Sequence, residues 1–124
     1  MITKDKPLIV GVVGPCGSGK STLISTMRQA LVPYRIYHIA QEHSYVLTMW
    51  QRLVHPDILI FLDASFEVTI QRKNLDWTLE DYQEQHRRLS NARENANLYI
   101  QTDHLTSQEV MQRVIQFLNS LAPD

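Results

Sequence analysis

All four glycines of this 124-residue chain fall within nine consecutive positions, at Gly11, Gly14, Gly17 and Gly19. A chain that sets its only glycines side by side needs unusual backbone freedom at that one place. Gly14, Pro15, Cys16, Gly17, Ser18, Gly19, Lys20 and Ser21 match the pattern G-x-x-x-x-G-K-[ST] at every fixed position. In such a stretch successive backbone N–H groups turn inward and cradle anionic oxygens where side chains would collide. A helix opening at Lys20 adds unpaired N–H groups and its positive dipole end, with Thr22 in the same first turn. The Lys20 ammonium then reaches β- and γ-phosphates, and the Ser21 hydroxyl ligates Mg²⁺. A dinucleotide fingerprint fits poorly, because Gly17-x-Gly19 is followed by Thr22 where Gly or Ala is needed.

The flanks place this stretch where it must sit. Leu8 to Val13 is a continuous apolar run, as expected for a strand covered on both faces. Lys20 to Leu31 carries Leu23, Ile24, Met27 and Leu31 on one helical stripe, and Pro33 follows. Tyr34 to Ile39 alternates like a strand with one more polar face. Ser44 to Val54 sets Val46, Met49, Trp50 and Leu53 at helical spacing before Pro56. Asp57 to Asp63 is a second buried-strand signal, and a short helix is expected over 65–73. Thr78 to Glu94 reads as one longer helix with Leu79, Tyr82, His86 and Leu89 inward and an i,i+4 pair of Glu84 with Arg88. Asn97 to Gln101 is a last short strand. Thr106-Ser107-Gln108-Glu109 is a capping box, opening a helix with Val110, Val114, Phe117, Leu118 and Leu121 on one face. Strand and helix alternate throughout. The expected fold is α/β, with a mostly parallel sheet of about four strands and helices on both faces, in one domain over 1–124.

Composition narrows the function. A net charge of −1 argues against a nucleic-acid partner or an anionic membrane surface. No apolar run nears the roughly 18 residues of a membrane span. Leu8 to Val13 follows Lys4 and Lys6, the order of a signal peptide, but it is short and Gly11 and Gly14 interrupt and end it, so it reads as a strand. One cysteine excludes an internal disulfide and suits a reducing compartment; a cytoplasmic location is expected. Five histidines and that cysteine are scattered without zinc-type spacing.

The motif in this setting resembles the P-loop NTPase superfamily, and beyond it the chain looks like that superfamily's small-molecule and nucleoside or nucleotide kinases. Asp57-Ile58-Leu59-Ile60-Phe61-Leu62-Asp63-Ala64-Ser65-Phe66-Glu67-Val68-Thr69-Ile70-Gln71-Arg72 follows their pattern of apolar strand, Leu-Asp, short helix and Arg. Ala96 to Asp103, followed by the capping box, resembles their last strand and helix. The resemblance implies a three-layer sandwich, ATP with Mg²⁺, and transfer of the γ-phosphoryl group to a hydroxyl-bearing metabolite, nucleoside or nucleotide. The chain departs from it by having one strand fewer and only 23 residues from Pro33 to His55. That shortness removes most of a substrate domain and leaves room for a second copy of the chain to complete the site. No N-K-x-D motif appears, since Lys73-Asn74-Leu75-Asp76 has the letters in the wrong order, which argues against a GTPase.

Two acids compete for the metal. Asp63 ends an apolar run, as the acid beside such a loop does, yet it equally suits a structural role or a cap on the next helix. Glu42, just past the Tyr34–Ile39 strand, sits where the resembling kinases place an acid that binds Mg²⁺ or takes the acceptor's proton; an ordinary helix N-terminus also favours an acid there. Arg72 matches the arginine that begins the kinases' lid and is expected to stabilise the transferring charge, with Arg87, Arg88 and Arg93 on the following helix as further candidates. A solvated helix face explains Arg87 and Arg88 equally well. Cys16 is either a tolerated small residue of the loop or a reactive thiol. The main alternative to a kinase is a nucleotide-dependent binding module or weak ATPase with no small-molecule acceptor.

Overall fold

The computed structural model describes residues 7–73 and 76–121. Lys4, Lys6, Asn74 and Leu75, and with them the lysines of the leader argument and the centre of the 73–76 quartet, lie outside the described residues. Four strands, β1 (Leu8–Val13), β2 (Tyr34–His38), β3 (Ile58–Asp63) and β4 (Leu98–Gln101), form one sheet in the order β2-β1-β3-β4. Every pairing is parallel, with Val12 opposite His38 on one side and Ile60 on the other. Parallel neighbours need a crossover, and six helices supply or follow the crossovers: α1 (Lys20–Gln29), α2 (Met49–Leu53), α3 (Phe66–Lys73), α4 (Leu79–Arg88), α5 (Ser90–Asn95) and α6 (Ser107–Ser120).

The period-2 alternation of the strands divides the core in two. Val10, Val12, Ile60, Leu62 and Ile100 face one side, where they pack against Leu23, Ile24 and Met27 of α1 and Val110, Val114 and Leu118 of α6. Val13, Leu59 and Phe61 face the other, against Ile39, Trp50 of α2, and Leu89 and Ala92 around α5. The apolar runs of β1 and β3 thus exist because both faces of the central strands are covered. Among the described residues no helix is long and apolar enough to cross a membrane.

Three expectations are corrected. Only Met49–Leu53 of the 44–54 stretch is helical, and a 3₁₀ turn over Gln41–His43 precedes it. The buried Gln41 amide donates to the Val46 carbonyl at 2.9 Å and accepts the Trp50 N–H at 2.8 Å, while Ser44 Oγ takes the Val46 N–H at 3.1 Å. These side-chain bonds replace the backbone bonds a helix would need, and Val46 and Leu53 point to solvent rather than inward. The 78–94 helix starts as expected, with a Thr78–Asp81 capping box, but breaks at Leu89 into α4 and α5. Leu79, in its first turn, is exposed, and Gln85 takes a buried position instead. Finally, α1 ends at Gln29, and Leu31 adopts a left-handed φ of 53° and is exposed instead of joining the stripe.

Candidate functional site

The loop from Gly14 to Gly19 connects β1 to α1, at the carboxyl ends of the parallel strands. Two of its glycines are required by contact. A Cβ on Gly14 would collide with the Leu62 carbonyl of β3, and one on Gly17, at φ 84°, would lie 2.9 Å from the Thr69 Cβ of α3. The loop is therefore wedged between β3 and α3, and only residues without side chains let it turn so tightly.

Lys20, the first residue of α1, is buried, and its ammonium folds back to donate to the carbonyls of Gly14 and Pro15. Its third partner is Glu42 Oε2 at 3.0 Å. Glu42 reaches this position because β2 pairs directly with β1: the Ile39 N–H donates to the Val12 carbonyl at 3.0 Å, and the 3₁₀ turn then swings Glu42 over the loop. Only 2% of Glu42 is exposed, and its Oε1 has no hydrogen-bond partner. A buried, unpartnered carboxylate oxygen is costly unless something is meant to fill the space beside it. Glu42 also lines a cavity of about 210 Å³, together with Cys16, Gly17, Gly19, Lys20, Ser21, Thr22, His38 and His43. Burial and the Lys20 ammonium hold His38 below the ordinary imidazole range against the pull of Glu42, and His38 and His43 each bring Nε2 to 3.8 Å from Glu42 Oε2.

The remaining candidates lie elsewhere. Asp63, at the end of β3, lines no part of this cavity: its Oδ1 accepts from the Ala64 N–H at 2.9 Å and meets His86 Nε2 at 3.0 Å, and its Oδ2 accepts from Tyr99 at 2.6 Å. Burial raises the carboxyl's pKa, but the bonds from His86 and Tyr99 outweigh that and leave it lowered. For His86 burial again opposes the charged form and Asp63 outweighs it, giving a raised pKa; burial and Asp63 push Tyr99 up to about 12. Nor does Asp63 cap α3, whose first turn is served by Ser65 Oγ and, at the Ser65 N–H, by Asp103.

Arg72 donates to the Thr102 hydroxyl at 2.7 Å and carbonyl, and to the Ser18 carbonyl at 3.4 Å. It borders a second cavity, of about 140 Å³, whose wall also includes Thr102, Leu105 and Val110. The two cavities meet at Gly19 and Thr22. Arg88 Nη1 donates to the Glu42 carbonyl at 3.4 Å, while Glu84 holds its Nε at 3.1 Å and the Tyr45 ring lies 4.2 Å from its guanidinium carbon. It braces the turn that carries Glu42 and does not line the cavity. Arg87 is exposed and paired with Glu84, and Arg93 lies over the Tyr99 ring at 4.8 Å.

Sequence reasoning missed Gln85. Its Oε1 accepts the Cys16 N–H at 3.0 Å and its Nε2 donates to Cys16 Sγ at 3.3 Å, fixing the top of the loop. The available signal was a glutamine on the same helical face as Tyr82, His86 and Leu89.

No protein-family model and no curated protein matches the sequence. Solved structures do match. Shikimate kinase from Acinetobacter baumannii, in complex with shikimate, superposes with a TM-score of 0.61 at 14% identity, over 96% of this chain and 97% of that one. The fold is a P-loop sandwich. An uncharacterized protein from Eubacterium ventriosum superposes with a TM-score of 0.56 at 10% identity, over 91% of this chain and 99% of that one. Identities this low establish the architecture, a four-strand parallel sheet between helices, and leave the chemistry to the site.

Proposed function

We propose that this chain is an ATP-dependent, kinase-like phosphotransferase that moves the γ-phosphoryl group to a hydroxyl-bearing metabolite, nucleoside or nucleotide. The observation that carries this reading is the Lys20–Glu42 pair, in which a buried cation waits on loop carbonyls beside a carboxylate with one oxygen unused. A triphosphate entering the larger cavity would replace Glu42 as the partner of Lys20 and take up the N–H groups of the loop. The carboxylate is then free, in a cavity whose lining also includes Ser21. Both are hard oxygen donors, and with phosphate oxygens they suit Mg²⁺, which binds through one or two protein ligands plus substrate phosphates. When bound, Mg²⁺ neutralises charge on the β- and γ-phosphates. Ser21 and Glu42 would hold it, and Asp63, whose oxygens are all engaged, would not.

The second cavity extends this reading along the nucleotide. It adjoins the loop at Gly19 and Thr22 and mixes apolar Leu105 and Val110 with Arg72 and Thr102. Such a lining suits a base and its sugar, with the Arg72 plane available for stacking. Arg72 would therefore act at the base end of ATP, rather than on the transferring group as the resemblance implied. Arg88 acts as a positioning residue, through the Glu42 carbonyl.

The test is ADP release from Mg·ATP with and without a pool of small cellular metabolites, using Lys20→Ala as the blank. Acceleration by the pool, lost in the blank, is the expected result, and fractionating the pool identifies the acceptor. Release that ignores the pool contradicts the transferase and favours a nucleotide-controlled binding module. Wild-type turnover in Lys20→Ala overturns the mechanism altogether.

A further inference from the structure

The larger cavity holds two donors that phosphate transfer does not use, Cys16 and His43, beside the acid that it does. Cys16 Sγ, His43 Nε2 and a carboxylate oxygen of Glu42 all lie within 4.8 Å of one another. The sulfur and the ring nitrogen are 4.0 Å apart, and the ring nitrogen is 3.8 Å from Glu42 Oε2. Tetrahedral ligands around Zn²⁺ stand about 3.3–3.8 Å from one another, so the two shorter separations need contract by about half an ångström and the sulfur–carboxylate one by up to about 1.3 Å, which side-chain rotation supplies. His43 is exposed. The independent sign is Glu42 itself, a 2% exposed carboxylate whose Oε2, shared with Lys20, is the oxygen near His43 and whose Oε1 has no partner, so the group has acceptor capacity to spare for a cation.

The geometry points to a site for a thiophilic divalent metal ion, Zn²⁺ as the representative case, at the mouth of the phosphate loop. Thiolate and imidazole select such ions over Mg²⁺, which prefers oxygen. Cys16 loses its proton to solvent as the metal–sulfur bond forms, and the Gln85 amide at 3.3 Å remains to hydrogen-bond the sulfur. Thiolate and carboxylate charges offset the divalent ion, leaving Lys20 as the net positive group. A fourth position stays open for water. The scattered sequence positions of Cys16 and His43 hid this set, since it forms only when the Gln41–His43 turn folds over the loop.

The consequence rests on the phosphotransferase reading: the metal occupies the cavity that a triphosphate would enter and holds the acid that Mg²⁺ would share. Zinc-loaded protein is therefore closed to nucleotide.

The experiment titrates the full chain, free of nucleotide, with Zn²⁺ alone and with Co²⁺ alone. One ion per chain and a thiolate-to-cobalt charge-transfer absorption are expected. Loss of an outer-shell partner already costs about tenfold in metal affinity, and losing a direct ligand in Cys16→Ser or His43→Ala should cost at least that. His104→Ala, at an exposed site, should bind as wild type. Equal affinity in Cys16→Ser and His43→Ala, or cobalt binding without the charge-transfer band, overturns the site. ATP affinity is then compared between zinc-loaded protein, with no free zinc, and zinc-free protein. A loss of about tenfold or more, absent in Cys16→Ser, is expected from a shared cavity. Zinc held by the triad with no ATP bound in either form leaves the metal site standing and overturns the nucleotide reading. ATP bound with no zinc at the triad overturns the metal site alone.

Discussion

The carboxyl ends of β2 and β3 each deliver a buried acid, and the two acids are used in opposite ways. Past β2, Glu42 lines an open cavity, gives one oxygen to Lys20 and keeps the other without a partner. At the end of β3, Asp63 has both oxygens committed, to His86, Tyr99 and a backbone N–H. Burial alone does not separate them, since both are under 10% exposed. What separates them is unused acceptor capacity. A satisfied carboxylate holds the fold together, whereas an unsatisfied one stores a cost that a ligand can relieve.

This contrast breaks most sharply by substitution. Glu42→Gln keeps an oxygen for Lys20 but removes the charge, and phosphoryl transfer should fall by about a thousandfold, read as ADP release under the accelerating metabolite fraction. Asp63→Ala strips His86 and Tyr99 of their shared partner and should cost about 3 kcal/mol of stability in denaturant unfolding, with ATP affinity of the folded fraction kept. The reverse assignment of these two outcomes would exchange the roles of the two acids.

The Asp63–His86 pair sharpens the comparison through pH. The raised His86 pKa gives stability that is full below the ordinary imidazole range and fades as pH rises through the folded value. The lowered Asp63 pKa gives stability that fades as pH falls through the folded carboxyl value. Unfolding midpoints should therefore decline on both sides of a mildly acidic window, and His86→Gln should remove the decline at the alkaline side. An unchanged alkaline slope in that variant would mean that some other group titrates. The smallest effect belongs to Tyr45. Removing its ring from Arg88 in Tyr45→Leu should cost about 0.5 kcal/mol, and it should appear as weaker Mg²⁺ dependence rather than lost folding, because Arg88 holds the turn under Glu42.

The shape of the glycine-rich loop was legible in the sequence because its demands fall on consecutive residues: glycines where Leu62 and Thr69 press in, then a lysine at the first helical position. The buried strands and the Thr106–Glu109 capping box were legible for the same reason, each being a local rule. The choice between Glu42 and Asp63 was not. It depends on β2 pairing directly with β1 and on Tyr99 and His86 arriving from later in the chain. The 44–48 stretch was misread because apolar spacing carries no sign of the Gln41 amide and Ser44 hydroxyl competing for its backbone.

The central claim is that Glu42, and not Asp63, serves the metal of a bound nucleotide. The most direct measurement is calorimetric ATP affinity with and without Mg²⁺ for the wild type, Glu42→Gln and Asp63→Asn. The account predicts that Mg²⁺ tightens ATP binding in the wild type and in Asp63→Asn but not in Glu42→Gln. A Mg²⁺ effect kept in Glu42→Gln and lost in Asp63→Asn would contradict it.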